Sequence, residues 1–460
     1  MSHIEPMKVF MEPRSIALVG VTRNTGEDSF NILENLLNYG FEGKVYPVNP
    51  GIDRILGVQG YPSVKDIPED VDLAVIASPR ATVFNIVKEC AKKRVKGIVI
   101  VAQGFNDGDD EGKALQAEIM SVAREAGVRV IGPNSLGIAN SFCNLNTSFA
   151  PAKLDNVPVG MICQSGLFFP GPPRLIVAGK AIDLGNACDI DVSDGLEYFE
   201  TDQDIKVIVL YVEGIEEGRR FLEVAKRVSK RKPILALKSG RSESGSKAAE
   251  SHTGSLAGND EVYDAAFKQC GVIRTLDIEE LADLSRAFSY LPLINGRGIG
   301  IISMSGAGGV ITADACQRNK LEVANLSTGT LAEIKRLFPA WLTITNPFDA
   351  WPAFQVSGYP YGEVVDRAFK LMLADEAVSG VVLISGIFGK EESWDPSSAI
   401  LRAVNTVKDK PVVCWLYGNY TGILPTLEKS GKVVVFPSCE RAVRALARLR
   451  EYAEFLERNR

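Results

Sequence analysis

Few residues in this 460-residue chain could do covalent chemistry, and the most conspicuous is one of only two histidines. His252 sits in Glu250-Ser251-His252-Thr253-Gly254-Ser255-Leu256-Ala257-Gly258, after the β-rich run PILALKSGR and the polar stretch SESGSKAA. Glycine and serine around it make a poor core element and a good flexible carrier loop. Neutral imidazole, with an ordinary pKa of about 6.5, is a competent nucleophile toward phosphorus. A lone histidine also satisfies partly buried structural sites, and the local residues leave both roles open. Three glycine turns could meet a phosphoryl group: Gly20-Val21-Thr22-Arg23-Asn24-Thr25-Gly26, Ser165-Gly166, and Ser305-Gly306-Ala307-Gly308-Gly309. Each follows a β-rich run, where backbone N–H groups and a helix N-terminus can face an anion, and each could equally be a plain turn.

The elements that must position these groups alternate. From 15 to 140 the chain reads SIALVGV, KVYPVNP, VDLAVIAS, GIVIVAQGF and VRVIGPN, with helical patterns between, which is the rhythm of a parallel sheet covered on both faces. Between 81 and 95, Val83, Ile86, Val87, Cys90 and Ala91 recur at helical spacing, with Ser78-Pro79 as the expected start. A second cycle runs from VPVGMIC through KVIVLYVEG and PILALKSGR. A third uses GIGIISMSGAGG, VSGVVLISG, PVVCWLYG and KVVVFPS. The expectation is three α/β units: an N-terminal Rossmann-like domain over 1–150, then two flavodoxin-like parallel-sheet domains over 151–293 and 294–460.

Composition narrows the classes. With 46% hydrophobic and 23% charged residues the chain is that of a globular protein, and a net charge of −6 without a basic run argues against nucleic-acid or anionic-membrane binding. No stretch approaches a membrane span and the N-terminus does not read as a secretory signal. The eight cysteines are scattered without metal or redox spacing, so reduced thiols in a cytoplasmic protein are expected, and no metal site. The first glycine loop lacks the G-x-G-x-x-G spacing, and no ribose-binding acid follows the second β-rich run. A nicotinamide-dependent oxidoreductase is therefore a weaker alternative.

The strand ends VNP (48–50), SPR (78–80), QGF (103–105) and GPNSLGI (132–138) should share one sheet edge, the ligand edge of this architecture. Together they resemble the CoA-binding domain of succinyl-CoA synthetase and of the ADP-forming acetyl-CoA synthetases. The resemblance implies CoA contacts at Gly20, Thr22, Asn49, Pro50, Ser78, Pro79, Gln103 and Asn134. Ser135 stands where that family usually has cysteine. SHTGSLAG, preceded by LKSGRSESG, resembles the family's phosphohistidine loop, which implies phosphorylation of His252. Glu213, at the end of LYVEG, would then hydrogen-bond and orient the imidazole. Ser165, Gly166, Gly306, Gly308 and Gly309 would cradle phosphate or the acyl group.

The resemblance implies an alpha subunit that interconverts acyl-CoA, phosphate and ADP with a carboxylic acid, CoA and ATP. It would do so in a hetero-oligomer with an ATP-grasp beta subunit carrying ADP or ATP and Mg²⁺, since no ATP-grasp unit is expected in this chain. One stretch breaks the pattern. The family continues QSGA into a helix, whereas here Leu167-Phe168-Phe169-Pro170-Gly171-Pro172-Pro173 forbids a regular one. That break keeps a second expectation open, a catalytically impaired CoA-binding or regulatory subunit.

Overall fold

The computed structural model describes residues 4–26, 29–150, 155–169, 176–253, 258–353, 361–387, 397–407, 409–418 and 422–459. The chain divides into two compact units, Met1–Ala282 and Asp283–Arg460.

The first unit carries two sheets. Strands β1 (Ser15–Val19), β2 (Lys44–Val48), β5 (Leu73–Ile76), β6 (Gly97–Ile100) and β7 (Arg129–Ile131) are all parallel, in the order β2-β1-β5-β6-β7; a small hairpin, β3 (Arg54–Ile55) with β4 (Val58–Gln59), follows β2. β1, β5 and β6 are buried at every position, as expected for apolar runs covered by helices on both faces. Two helices begin at the ligand edge. α2 (Ile32–Tyr39) is capped by Asn31, whose side chain accepts from the N–H groups of Leu33 and Glu34, and it ends at left-handed Gly40. α3 (Arg80–Lys93) buries Val83, Val87 and Cys90, the stripe its periodicity predicts. Pro79 is its N-cap residue and makes no side-chain cap; the Thr82 N–H bonds the Pro79 carbonyl at 2.9 Å, which leaves the N–H groups of Arg80 and Ala81 uncapped by it.

The second sheet runs β14-β13-β12-β10-β11-β8-β9. Its parallel part is β10 (Val159–Cys163), β11 (Lys180–Asp183), β12 (Val207–Val212), β13 (Ile234–Lys238) and β14 (Ile273–Arg274). The other two strands come from earlier in the chain. β8 (Gly137–Asn140) runs antiparallel to β11, and β9 (Leu145–Asn146) antiparallel to β8, so the segment leaving loop 132–138 crosses from the first sheet onto the second. One apolar core follows it: Leu18, Val75, Val99 and Ile131 belong to the same buried cluster as Ile138, Ile162, Ile182 and Leu210. At roughly 1.5–3 kcal/mol per buried aliphatic side chain, this shared core is a major part of what holds the unit together.

The second unit has a six-stranded parallel sheet. β16 (Glu322–Val323), β15 (Gly298–Ser303), β18 (Gly380–Ile387), β19 (Val412–Gly418) and β20 (Val433–Phe436) lie in that order, with β17 (Phe348–Asp349) also paired to β15. The C-terminal helix Cys439–Arg458 is rich in arginine and glutamate. One face of it is indeed charged, but Ala442, Val443, Leu446, Leu449 and Tyr452 on the other are buried.

Candidate active site

A cleft of about 640 Å³ opens where the first sheet's connections reverse direction, between the carboxyl ends of β1 and β5. Gly20, Thr22, Ser78, Pro79 and Gln103 line it together, and so do Phe30, Asn31, Arg80 and Phe149. Gly20 has φ +90°, and a Cβ there would stand 2.6 Å from the Ser78 hydroxyl and 2.7 Å from the Ala77 carbonyl oxygen. Only glycine allows the two strand ends to approach this closely. The Arg80 guanidinium is aimed by the Gly104 carbonyl at 2.7 Å and the Asp109 carboxylate at 2.8 Å. Uncapped N–H groups of α3 and a fixed guanidinium suit a phosphate-bearing ligand, and the largely apolar walls suit an uncharged chain.

The other three expected contacts do not line this cleft. Asn49 stands behind the glycine loop, donating its amide to the Val21 carbonyl at 2.9 Å and accepting from Gly51 N–H at 3.0 Å, so it braces the loop. Pro50 follows it on the outside. Asn134, at φ +58°, donates its backbone N–H to the carbonyl of cleft-lining Ala102 at 2.9 Å. Ser135 is buried, accepts from Gly137 N–H and donates to the Asp183 carbonyl, which makes it a turn-closing residue. Sequence reasoning missed Phe30 and Phe149, whose rings meet edge to face 6.0 Å apart. Phe149 lies far along the chain from the glycine loop, and no local motif marks it.

A second set of polar groups gathers at the carboxyl edge of the second sheet. Glu213, at the end of β12, is buried, and its N–H and that of Gly214 both donate to the side-chain carbonyl of Gln164, at 2.7 and 3.2 Å. The Gln164 amide returns a bond to the Gly214 carbonyl at 3.0 Å. Tyr211 donates its hydroxyl to the Glu213 carboxylate at 3.1 Å, and burial pushes that phenol up to about 12, so it stays a donor at neutral pH. Lys238, closing β13, is buried over the Tyr263 ring, and burial lowers its pKa. Asp183 closes β11 at 1% exposure, and burial raises its carboxyl to about 7, with the Glu213 charge adding to the shift against N–H bonds from Leu136 and Gly185. Neither Gln164 nor Asp183 had been singled out; both lie at strand ends, the one signal that could have found them.

Ser165 and Gly166 follow Gln164 in a turn rather than a helix, with Phe168 and Phe169 donating N–H groups to their carbonyls. Phe168 then stacks on Tyr211, with ring centres 4.0 Å apart, so an aromatic wall stands beside Glu213. Pro170, Pro172 and Pro173 lie outside the described residues. His252 belongs to the last turn of α7 (Glu243–Thr253), and its side chain is outside the described residues. The polar stretch before it is helical, not an open loop: Ser246 N–H bonds to the Ser242 carbonyl at 2.7 Å and Lys247 pairs with Glu243 at 2.8 Å. In the second unit, Gly306 opens the 13-residue helix α10 (Gly306–Arg318) without a side-chain cap, while Gly308 and Gly309 are buried against Ile384 and Pro347. Among the described residues no group of side chains could hold a metal, and no helix is long and apolar enough to cross a membrane.

A cleft at the switch point of one parallel sheet thus shares a compact α/β unit with a second sheet that carries ionisable groups at its edge. Residues 14–141 match the CoA binding domain model and 157–288 the succinyl-CoA ligase like flavodoxin domain. The chain is 40% identical over 443 residues to the alpha subunit of acetate–CoA ligase (ADP-forming) II from Pyrococcus furiosus, covering 94% of each. It is 44% identical over 349 residues to the acetate–CoA ligase (ADP-forming) of Methanocaldococcus jannaschii, spanning 75% of this chain and about half, 49%, of that one. A solved acetyl-coenzyme A synthetase 1 from Ca. Korarchaeum cryptofilum, in complex with phosphate and ADP, superposes with a TM-score of 0.88 at 31% identity over 98% of both chains. The chain belongs to the family of ADP-forming acetate–CoA ligases, as a counterpart of their alpha subunits.

Proposed function

We propose that the chain binds CoA in the first-sheet cleft and carries a phosphoryl group on His252 during ADP-forming acyl-CoA ligation. A phosphate oxygen attacks the thioester carbonyl, and the CoA thiolate leaves and takes up a proton. A ring nitrogen of His252 then attacks the phosphorus of the acyl phosphate and the carboxylate departs. The phosphoryl group passes from His252 to ADP on a partner subunit of ATP-grasp type, which would hold Mg²⁺ with the nucleotide and complete a hetero-oligomer. Glu213 is the proposed orienting partner of the imidazole, and Ser165 and Gly166 are the proposed phosphate donors of the first unit. The observation that carries the reading is the buried Glu213, pinned by Gln164 at the end of β12, with the neighbouring strand β13 leading into the helix that bears His252. The alpha-subunit relative and the M. jannaschii ligase, about twice the matched length, support a separate partner.

The test is incubation with an ATP-grasp subunit, acyl-CoA, labelled phosphate and ADP. Acid-labile label on His252, lost in His252→Asn while CoA binding persists, is the expected result. Normal labelling of His252→Asn, or tighter binding of NAD than of CoA, would overturn it.

A further inference from the structure

Loop 132–138 lies between the two polar edges of the first unit. On the cleft side Asn134 is tied to Ala102, and on the other side a Cβ at Gly166 would meet Leu136 Cδ1 at 2.7 Å, so the loop rests on the turn after β10. The group that holds it is the Asp183 carboxyl. Oδ2 accepts from Leu136 N–H at 2.7 Å, Oδ1 accepts from Gly185 N–H at 3.4 Å, and the Asp183 carbonyl takes the Ser135 hydroxyl. Gly185, at φ +52°, is pressed so closely on the loop that a Cβ would stand 2.2 Å from the Pro133 carbonyl oxygen. The Asn186 N–H donates to that same carbonyl at 2.9 Å. Strand end and loop therefore move together.

We infer that Asp183 is a positioning residue, fixing loop 132–138 against both the CoA cleft and the Glu213 edge by accepting the Leu136 N–H. The inference rests on the CoA reading above. An ionised carboxylate accepts this bond more strongly than a protonated one. Among the described residues the titratable groups facing Asp183 are the Cys163 thiol on β10, at 3.9 Å, and Glu213 on β12; loop 132–138 and residues 184–187 contribute none. Burial and the Glu213 charge put its titration at about 7, so the strength of the tie changes across neutral pH.

The experiment is calorimetric titration of CoA into the full chain from pH 6 to pH 8.5, for wild type, Asp183→Asn and Asp183→Ala, with hydrogen exchange at the Leu136 amide. CoA's own phosphates titrate at about 6 and act alike on all three proteins, so the readout is the difference between them. Wild type should gain several-fold more affinity than Asp183→Asn as pH rises through 7. Asp183→Ala should bind about tenfold more weakly at pH 8 and exchange the Leu136 amide faster, and Asp183→Asn should rescue most of that loss. If Asp183→Ala does not fold, the Asn pH profile decides. Identical pH profiles, or full affinity in Asp183→Ala, overturn the inference alone. Absence of CoA binding by wild type overturns the cleft reading and the inference with it.

Discussion

Replacing Gln164 by leucine keeps the bulk of the side chain and removes its hydrogen bonding, which makes it a sharp probe of the Glu213 edge. Gln164 accepts from the N–H groups of Glu213 and Gly214 and donates to the Gly214 carbonyl. Stranding a buried donor costs about 1–3 kcal/mol. With two donors and one acceptor affected, and the edge only partly buried, the loss should be about 2–4 kcal/mol in chemical denaturation. The same change frees the backbone that aims the Glu213 carboxylate. Phosphorylation of His252 in the reconstituted complex should then slow by about a hundredfold, the lower range for misplaced acid–base partners. CoA affinity should change less than threefold, because Gln164 does not line the cleft. Denaturation within about 0.5 kcal/mol of wild type, together with an unchanged phosphorylation rate, would refute the role given to this glutamine.

Gly20→Ala should weaken CoA binding by tenfold or more, because a Cβ at φ +90° strains the backbone by about 1–3 kcal/mol and also meets the Ala77 carbonyl; calorimetry reads it directly, and unchanged affinity would separate the cleft from CoA. Glu213→Gln keeps the shape but not the charge and should slow His252 phosphorylation by about a hundredfold or more; an equal rate in rapid-quench labelling would make Glu213 a bystander. The Asp183 carboxyl is raised from 3.8 to about 7 in the folded chain, so between those values the folded state holds more protons than the unfolded one. This contribution to stability is full below about pH 4, falls as pH rises toward 7 and then levels. Denaturation midpoints of wild type minus Asp183→Asn should show that decline, and a flat difference would place the titration elsewhere.

Much of the fold was legible because apolar runs of four to six residues between amphipathic stretches can hardly form anything but covered parallel strands. The glycine loop at 20 was legible too, since a strand followed by a glycine turn marks the ligand edge. What the sequence hid is spatial. Gly137–Asn140 is a short apolar run like its neighbours, and nothing local says that it pairs with residues 180–183 rather than with β7. The resemblance implied Asn49 and Asn134 as CoA contacts; the Asn49 amide bonds the Val21 carbonyl and the Asn134 backbone N–H bonds the Ala102 carbonyl, ties that no local pattern foretells. Asp183 ends the short strand Lys180-Ala181-Ile182-Asp183, whose residues form no motif, and only the Leu136 N–H that it accepts singles it out. The stretch before His252 read as open loop from its serines and glycines, while Lys247, Ala248 and the Glu243 pair favour helix strongly enough to form one.

The crossing of β8 and β9 onto the second sheet bears on how this protein can be cut and transplanted. A fragment ending near residue 150 would carry β8 without its hydrogen-bonding partner β11, leaving β8 paired with β9 alone. Ile138 and Ala139, now wholly enclosed, would face water along an open edge that invites aggregation. The smallest portable module that keeps the cleft in its native setting is therefore the whole of residues 1–282, so grafting the cleft onto another scaffold means carrying the second sheet with it.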